Sequence, residues 1–490
     1  MIEPRSRPGR PFNTWVSRQP LLGPILLATL LDGRGYDAAV YNENVSGLLE
    51  NDEQAYNDVC SADIIGISIM TPTAARGYAL ADGIRRDAPE KTVVFGGIHA
   101  TFMSHEALAH GDIVVRGEAE NVIEAVAAGA IGSGIVDSPP LEDLDSLPAP
   151  DYRLMRDFDQ LFSQSPSKGL YQLPVMASRG CPYRCSFCSV SRMFGQKVRR
   201  RSVDKVYQDI RSYVEQGFRE FFFYDDNFTS NRDWTRHLMH RIRPLDVRIW
   251  AQTRVDFPWL DRSQRLFDRT LLDAMRRGGA STLYIGYETI DDSTASQWHK
   301  GYRGQGVLRE RLLEDTRILH DSGFWIHGMF VVGPQHTDKT VDQIVEFSRQ
   351  AKLESMHLSI LTPLPGTPLF EEMRPHLIFT DFPQDWDYYD GGHCVYANGH
   401  LGVQRLQETV LSAHHRFYRG YSWSLRRIRD VLGERAPLMD RLRWVWSTAR
   451  VAQRTLKEWE EETRLFLDLV RAKRAAAPRA PQAAMPSLTP

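Results

Sequence analysis

Short apolar runs alternate with amphipathic stretches along the first third of the chain. The run Asp63–Ile69 is almost continuously apolar, which is typical of a strand buried on both faces of a parallel sheet. Further strands are predicted at Ala38–Tyr41, Thr92–Phe95 and Asp112–Val115, with helices at Gln19–Leu31 and Ala74–Asp87. A first strand near Met1 is expected to be short or missing. The alternation predicts a doubly wound α/β domain over residues 1–137, which binds ligands at the carboxyl ends of its strands.

The alternation resumes after a break and repeats six times between Leu173 and Leu364. The predicted strands are Leu173–Ala177, Glu220–Phe223, Val247–Ala251, Thr282–Ile285, Trp325–Val331 and Ser355–Leu361. Helices are predicted between them at Val203–Gln216, Thr270–Arg277, Arg309–Asp321 and Lys339–Ala351. Repeated β–α units predict a parallel barrel over residues 171–370, with its chemistry at the carboxyl ends of the strands.

Three other segments differ in pattern from these two domains. Residues 138–170 are rich in Pro, Ser and Asp and predict a linker that wraps rather than packs. Residues 371–474 predict a mainly helical cap, with amphipathic helices at Leu406–Val431 and Ala436–Arg474; docking of these helices on a membrane surface is the alternative. Residues 475–490 are rich in Ala and Pro and predict a disordered tail.

Composition sets limits on location and partners. The 490 residues fit two or three domains, and a net charge of −2 gives no sign of a nucleic-acid partner. The chain has no apolar run long enough to span a membrane and no apolar core of signal-peptide type at Met1–Pro8. We therefore expect a monomer in a reducing cytoplasm.

Three of the five cysteines, Cys181, Cys185 and Cys188, lie together at the spacing C-x3-C-x2-C, far from Cys60 and Cys394. Three thiols cannot pair off as disulfides, and they suit a soft metal centre. Two centres remain open on spacing alone. One is an iron–sulfur cluster held by thiolates. The other is a zinc knuckle completed by a distant fourth ligand, although zinc sites more often show paired C-x2-C units.

The cysteine spacing, with Arg179-Gly180 before it and Phe187 inside it, resembles the radical S-adenosylmethionine (SAM) enzymes. That resemblance implies a [4Fe-4S] cluster on the three cysteines, with one iron left open to bind SAM. It also implies an open, partial (β/α)6 barrel. An external donor such as flavodoxin or ferredoxin would reduce the cluster, and SAM cleavage would then give a 5′-deoxyadenosyl radical.

The same resemblance implies SAM contacts at polar residues that follow the predicted strands. The segment Tyr224–Phe228 stands where the family grips the amino group of SAM. The implied SAM contacts are Phe187, Asp225, Asp226, Asn227, Arg254 and Glu288. Taken singly, such polar residues could equally be helix caps.

The N-terminal domain resembles the cobalamin-binding domain that precedes the barrel in one large subclass. The resemblance rests on Gly66–Thr71, Gly96–Thr101 and Arg116–Glu120. The implied cobalamin contacts are Thr71, Thr73, Gly96, Gly97, His99, Thr101, Gly117 and Glu118. No histidine precedes His99, so the Asp-x-His-x-x-Gly cobalt-ligand motif is absent, and we expect no histidine on the cobalt.

Together these features predict a cobalamin-dependent radical SAM enzyme with an N-terminal Rossmann-like domain, a partial barrel and an α-helical C-terminal extension. The favoured reaction is methylation of an unactivated carbon in a small-molecule or lipid-like substrate, with two SAM consumed per turnover. The alternatives are oxidation, cyclisation or ring rearrangement without methyl transfer, a radical SAM enzyme that has lost cobalamin, and a zinc-knuckle binding protein. No catalytic side chain can be assigned.

Two further segments carry an expectation. The basic run Arg199–Arg201 is expected on the solvated surface, with phosphate binding as the lesser alternative. The aromatic segment Asp385–Cys394 either lines the substrate pocket or packs as part of a capping loop.

Overall fold

The computed structural model describes residues 1–7, 19–163, 172–302, 306–397, 399–419 and 438–476, with backbone only at 162–163, 419, 438–453 and 476. Two parallel sheets of six strands each dominate this part of the chain. The predicted tail at 475–490 and the predicted helical residues 420–437 lie wholly or mostly outside the described residues.

The N-terminal sheet has the strand order β2-β1-β3-β4-β5-β6, and all its pairings are parallel. Its strands are β1 (Ile2–Glu3), β2 (Tyr41–Asn42), β3 (Ile64–Ser68), β4 (Thr92–Gly96), β5 (Ile113–Gly117) and β6 (Gly134–Ser138). The order reverses between β1 and β3. In doubly wound sheets this switch point opens the crevice in which ligands bind.

The helices around this sheet match the predicted alternation. They are Leu22–Asp32, Glu43–Ser46, Glu53–Ser61, Ala74–Asp87, Ile98–Phe102, Ser104–Leu108 and Ile123–Ala127. The first strand is present although only two residues long, and it holds a central place because Ile2 lies opposite both Tyr41 and Ile67.

The linker prediction was wrong for residues 138–163, and the rest of that range, 164–170, lies outside the described residues. Ser138 ends β6, an edge strand that the sequence did not reveal because only Ile135 and Val136 are large and apolar. Downstream, Leu144 and Leu147 are buried against Leu26. Tyr152, Met155 and Phe158 are buried in the main core, and a helix follows at Phe158–Ser163. The segment therefore packs between the two sheets, because its apolar residues are spaced among the prolines.

The second sheet contains six parallel strands in chain order and forms the partial barrel. Its strands are β7 (Gln172–Val175), β10 (Glu220–Phe223), β11 (Arg248–Thr253), β14 (Ala280–Glu288), β15 (Trp325–Val332) and β16 (Ser355–Ile360). Two small antiparallel ladders complete the strands: β8 (Ser178–Arg179) with β9 (Arg199–Arg200), and β12 (Trp259–Asp261) with β13 (Leu266–Phe267). On β15 and β16 every second residue is fully buried, as expected where one face of a sheet is covered by helices.

Four helices of the barrel lie close to the limits predicted for them, and four others in the described residues were not predicted. The eight are Val190–Met193, Val203–Glu215, Arg232–Ile242, Arg269–Arg277, Asp292–Gln297, Leu308–Asp321, Asp338–Gln350 and Pro368–Met373. The side chain of Ser202 caps Val203–Glu215 by accepting a hydrogen bond from the Lys205 N–H, which fixes where that helix begins.

Two C-terminal helices, Gly402–Arg419 and Leu438–Ala476, form the cap. The first lies against the edge strand β16, where the Tyr418 hydroxyl donates to the Met356 carbonyl at 2.8 Å. The Leu358 N–H donates to His414 Nε2 at 3.1 Å. These bonds occupy polar groups at the exposed edge of the sheet, which would otherwise be open to pairing with another chain. None of the helices in the described ranges is long and apolar enough to cross a membrane.

The aromatic segment Asp385–Cys394 packs rather than lining an open pocket. Trp386, Tyr389, His393 and Cys394 are all buried. Trp386 reaches the N-terminal domain, where its indole N–H donates to Glu106 at 2.9 Å. The segment therefore ties the cap to the first domain.

Glu3, on an interior strand of the first sheet, gives a pH prediction. It is buried and accepts hydrogen bonds from the Leu21 N–H and the Asn42 amide, but burial raises its pKa to about 8. Its folded-state pKa exceeds its unfolded value, so stability falls as pH rises from about 4.5 to 8. We expect Glu3→Gln to be neutral at pH 5 and to stabilise by on the order of 3 kcal/mol at pH 9, measured by urea unfolding.

The buried Glu43 provides the matched control for this prediction. Its carboxylate is paired with Arg76 at 2.5 Å, so neutralising it removes an ion pair rather than an uncompensated charge. Glu43→Gln should destabilise at pH 9, the opposite sign to Glu3→Gln. A Glu3→Gln variant that is no more stable than wild type at pH 9 would contradict the prediction.

Candidate active site

The cysteine loop begins and ends on the β8–β9 ladder. Arg179 pairs with Arg199, so the chain from Gly180 to Val198 leaves and returns at one point. Gly180 has φ +92°, and a Cβ there would lie 2.8 Å from the Lys197 carbonyl oxygen, so only glycine fits. The Cys181 N–H then donates to the Gly195 carbonyl at 3.3 Å, which closes the loop.

The three thiols of this loop are half-buried. Burial raises the pKa of all three, that of Cys188 to about 12, so a metal centre has to displace their protons on binding. Within the described ranges no group of His, Cys, Asp and Glu side chains is compact enough to hold a single metal ion. Three thiols in one short loop are the donor type that iron–sulfur clusters use.

The other two cysteines lie elsewhere, as expected. Cys60 is on the helix Glu53–Ser61 of the N-terminal domain. Cys394 is fully buried in the cap, and its thiol donates to the Tyr396 carbonyl at 3.3 Å.

The segment Trp298–Lys300 covers the cysteine loop and was missed by sequence reasoning. The Ser186 N–H donates to the Trp298 carbonyl at 3.2 Å, and Phe187 meets the Trp298 ring edge to face at 5.6 Å. The Cys185 sulfur lies 4.0 Å from the His299 carbonyl oxygen. No motif marks this segment, because it reaches the loop only through the fold of the barrel. Phe187, a predicted SAM contact, is thus at least partly engaged in holding the loop.

The two carboxylates after β10 differ in their surroundings. Asp225 is buried and accepts from the Ala177 N–H at 3.0 Å and from the Ser178 hydroxyl, so it holds the base of the cysteine loop. Burial raises its pKa to about 6. Asp226 is half-buried, no other described side chain bonds to it, and its charge is felt at Cys181 and Cys188. Burial, with the neighbouring Asp225, raises the pKa of Asp226 to about 7.

The capping alternative does not hold for these residues. The next long helix begins at Arg232, and the Asn231 side chain caps it by accepting from the Trp234 N–H. Asn227 is also buried, and its side-chain oxygen accepts from the Thr253 hydroxyl at 3.4 Å.

Arg254 and Glu288 lie on the neighbouring strand ends, and both have protein partners. Arg254 forms a two-pronged ion pair with Asp256 at 2.9 and 3.1 Å and donates to the carbonyls of Lys300 and Gly301, each at 2.9 Å. The Lys300 ammonium donates to Glu288 at 2.9 Å. Arg254 and Glu288 therefore fix the covering segment over the cysteine loop. Their predicted contact with SAM remains a prediction.

In the N-terminal domain the predicted cobalamin contacts collect at the carboxyl ends of β3, β4 and β5. Thr71 and Thr73 follow β3 at the switch point and are buried. Gly97 has φ +92°, and the Thr101 hydroxyl donates to its carbonyl at 2.9 Å while accepting from the Gly117 N–H at 3.1 Å. The position of a Cβ on Gly96 meets nothing within 4 Å, so a ligand can approach this turn closely.

His99 is buried between two protein partners. Its Nδ1 lies 3.2 Å from the Thr71 hydroxyl and its Nε2 lies 3.3 Å from Glu106, while the Trp386 ring packs edgewise at 5.0 Å. Burial lowers the pKa of His99, which favours the neutral ring. Both ring nitrogens thus face protein partners, and the expectation that no histidine ligates the cobalt stays a prediction.

The surface expectation for Arg199–Arg201 was wrong. Arg199 and Arg201 are buried, and Arg201 forms an ion pair with Asp209 at 2.5 Å. The Arg200 guanidinium donates to the Ser230 hydroxyl at 2.5 Å. Consecutive arginines can be buried where each has its own acceptor, which sequence alone does not reveal.

Two segments of the chain match known protein domains. Residues 175–348 match the radical SAM superfamily, and residues 18–127 match the B12 binding domain. The bacteriochlorophyllide d C-12(1)-methyltransferase of Chlorobaculum tepidum is 26% identical over 456 residues, covering 91% of this chain and 90% of the relative. The anaerobic magnesium-protoporphyrin IX monomethyl ester cyclase of Rubrivivax gelatinosus is 25% identical, covering 80% of this chain and 72% of the relative.

A solved structure shares the fold over nearly the whole length. The methyltransferase TsrM from Kitasatospora setae, with cobalamin and a [4Fe-4S] cluster bound, superposes with a TM-score of 0.66 at 16% identity, covering 94% of this chain and 98% of that one.

The partial barrel, the cysteine loop and the superfamily match define a radical SAM enzyme. With the B12 binding domain ahead of the barrel, the chain belongs to the cobalamin-binding-domain radical SAM enzymes. This membership sets aside the zinc-knuckle alternative. It implies a [4Fe-4S] cluster, SAM and cobalamin, and the half-buried thiols and the open Gly96 turn suit the first and the last of these.

Proposed function

We propose that this enzyme is a C-methyltransferase that acts on an unactivated carbon of a small-molecule or lipid-like substrate and consumes two SAM per turnover. The observation that carries the proposal is the 26% identity to a bacteriochlorophyllide methyltransferase across nine-tenths of both chains. When bound, the cluster supplies the electron that cleaves SAM, and cobalamin supplies a carrier for the methyl group.

The protein's own residues would bind, orient and shield these groups. Cys181, Cys185 and Cys188 would hold the cluster, and Asp226 would receive the amino group of SAM. Arg254 and Glu288 would keep the segment Trp298–Lys300 closed over the loop, which excludes water from the reacting centre.

The N-terminal strand ends would receive cobalamin through backbone groups. We assign this role to the turns at Thr71–Thr73 and Gly96–Thr101 and to Gly117. We also propose three domains: a cobalamin-binding domain at 1–137, a barrel at 171–370 and a cap at 371–474. The strand β6 extends the first domain to Ser138, and the segment after β6 packs against it.

An external reductant is required, and we propose a flavodoxin or ferredoxin. A surface cavity of about 180 Å³ opens beside Cys185, lined by Arg184, Ser191, Arg192, Gln196 and Pro368. Arg184 and Arg192 are exposed and have no acidic partner among the described residues. An acidic electron-transfer protein would find complementary charge at this point.

A second candidate is cyclisation or another oxidation without methyl transfer. The 25% identity to a magnesium-protoporphyrin monomethyl ester cyclase favours it, because that relative covers four-fifths of this chain. The two reactions differ in what becomes of SAM, so one assay separates them.

The test is the product balance of the reconstituted, reduced enzyme with candidate substrates, beginning with bacteriochlorophyllide d. For methyl transfer we expect S-adenosylhomocysteine and 5′-deoxyadenosine to form in about equal amounts, because one SAM donates methyl and the other is cleaved. The product should gain the mass of one methylene group. Substrate-dependent 5′-deoxyadenosine without S-adenosylhomocysteine would refute methyl transfer and support the second candidate.

A further inference from the structure

Four charged side chains form a buried cluster across the boundary between the two sheets. Glu118 and Glu120 follow β5 of the N-terminal domain, and Arg179 and Arg199 lie on the β8–β9 ladder of the barrel. Arg179 donates to Glu118 and to Glu120, each at 2.5 Å. Arg199 donates to both oxygens of Glu118, one of them at 2.9 Å.

The side chains of this charged cluster are almost inaccessible to solvent. The side chain of Glu118 is 2% exposed, and those of Arg199 and Arg179 are 3% and 9% exposed. Burial alone would raise the pKa of Glu118, but Arg199 and Arg179 hold it below its ordinary value. Arg199 also donates to the Leu141 carbonyl at 2.6 Å. Removing one member of such a group leaves a buried charge uncompensated, which is strongly destabilising for that contact.

The charged cluster holds the two ends of the cysteine loop. Arg179 is two residues before Cys181, and its ladder partner Arg199 is where the chain returns from the loop. On the other side of the ladder, Ser178 donates to Asp225. The base is therefore held by a carboxylate of the barrel on one side and by Glu118 of the N-terminal domain on the other.

We infer that Glu118, with Arg179 and Arg199, is a positioning residue that fixes the cysteine loop to the N-terminal domain. Both its carboxylate oxygens are used in this contact, so it is not a cobalamin ligand of the kind its sequence position implied. These ion pairs set the position of the iron–sulfur cluster relative to the strand ends of the N-terminal domain. The inference rests on membership of the family and holds for either reaction proposed above.

The test compares Glu118→Gln with Asp315→Asn in the full-length chain. Asp315 is the matched control, because its side chain is equally buried, pairs with Arg262 at 2.5 Å and accepts from the Trp259 indole at 2.6 Å, and neither partner belongs to the cysteine loop. Each change removes a buried carboxylate that is paired with arginine; Arg179 keeps Glu120 in the first variant, and Arg262 keeps Glu314 at 3.8 Å in the second. We expect both variants to fold with a lowered melting temperature.

Only Glu118→Gln should loosen the loop. Hydrogen exchange of the peptide spanning residues 178–200 should rise by about tenfold or more, because local opening then breaks only the Arg179–Glu120 ion pair and no longer those to Glu118. After reconstitution, the electron paramagnetic resonance spectrum of its reduced cluster should become heterogeneous. Asp315→Asn should match wild type in both measurements.

Three outcomes would overturn the inference. The first is a folded Glu118→Gln variant with wild-type loop exchange and spectrum. The second is an identical change in Asp315→Asn, which would show a general loss of stability. The third is loss of cobalamin binding with unchanged loop exchange, which would return Glu118 to the cofactor site. If Glu118→Gln does not fold, Glu120→Gln removes one partner of Arg179 and should give the same changes at smaller size.

Discussion

Replacement of Cys181, Cys185 and Cys188 together by alanine is expected to abolish iron and sulfide binding and to lower SAM cleavage by more than about 100-fold, to the background of reductant alone. The reason is that the cluster is the only route for the electron, and these three thiols are the only cysteines in the loop. Iron and sulfide content after anaerobic reconstitution and the rate of 5′-deoxyadenosine formation measure the two effects.

The triple variant should still fold. The three side chains are half-buried in a loop whose path is fixed by backbone contacts such as Cys181 N–H to Gly195, so losing the sulfurs should cost about 2 kcal/mol or less. Cys60→Ala is the matched control, because Cys60 is also half-buried but lies on a helix of the N-terminal domain. Retention of a SAM-cleaving cluster in the triple variant would show that the cysteine loop is not the cluster site.

The sequence predicted best those elements whose pattern is local. The barrel strand Glu220–Phe223 and the helix Ala74–Asp87 were predicted to the residue, because an apolar strand and a 3.6-residue periodicity are visible within a few turns of chain. The helix predicted at Val203–Gln216 also begins at the predicted residue, directly after its N-cap Ser202. The six-fold β–α repeat then limits the topology, since sequential parallel strands need crossover helices.

What the sequence did not reveal depends on contacts across the chain. Glu118 looks like a ligand-binding residue at a strand end, and only the fold brings Arg179 and Arg199 to it from more than 60 positions away. Trp298–Lys300 has no motif, yet it covers the cysteine loop. The run Arg199–Arg201 was predicted to be exposed, because arginines are buried only where other parts of the chain supply acceptors for them, and those acceptors are not visible in the local sequence.

The two carboxylates after β10 show the same limit on a smaller scale. In the sequence Asp225 and Asp226 are equivalent neighbours. In the fold Asp225 is occupied by the Ala177 N–H and the Ser178 hydroxyl, whereas Asp226 has no other side chain bonded to it in the described ranges. A free carboxylate beside the cysteine loop can accept the ammonium group of SAM, while an occupied one cannot.

We therefore expect Asp226→Asn to weaken SAM binding by about 10- to 100-fold, the size of one hydrogen bond between charged groups. The variant should keep its cluster and its fold, because no other side chain in the described part of the chain is bonded to Asp226. Equilibrium binding of SAM to the reconstituted, unreduced protein measures the affinity, and the optical spectrum of the cluster confirms that it is loaded.

Asp225→Asn is the control for that prediction, since it makes the same isosteric change one residue earlier. An asparagine there can accept one of the two hydrogen bonds but presents an N–H₂ group to the other donor, so we expect a lower melting temperature and poorer cluster loading. SAM affinity per loaded cluster should change less than in Asp226→Asn. If instead Asp226→Asn binds SAM as wild type does while Asp225→Asn loses SAM without losing stability, the two roles are the reverse of those assigned, and Asp225 must leave its internal partners when SAM binds.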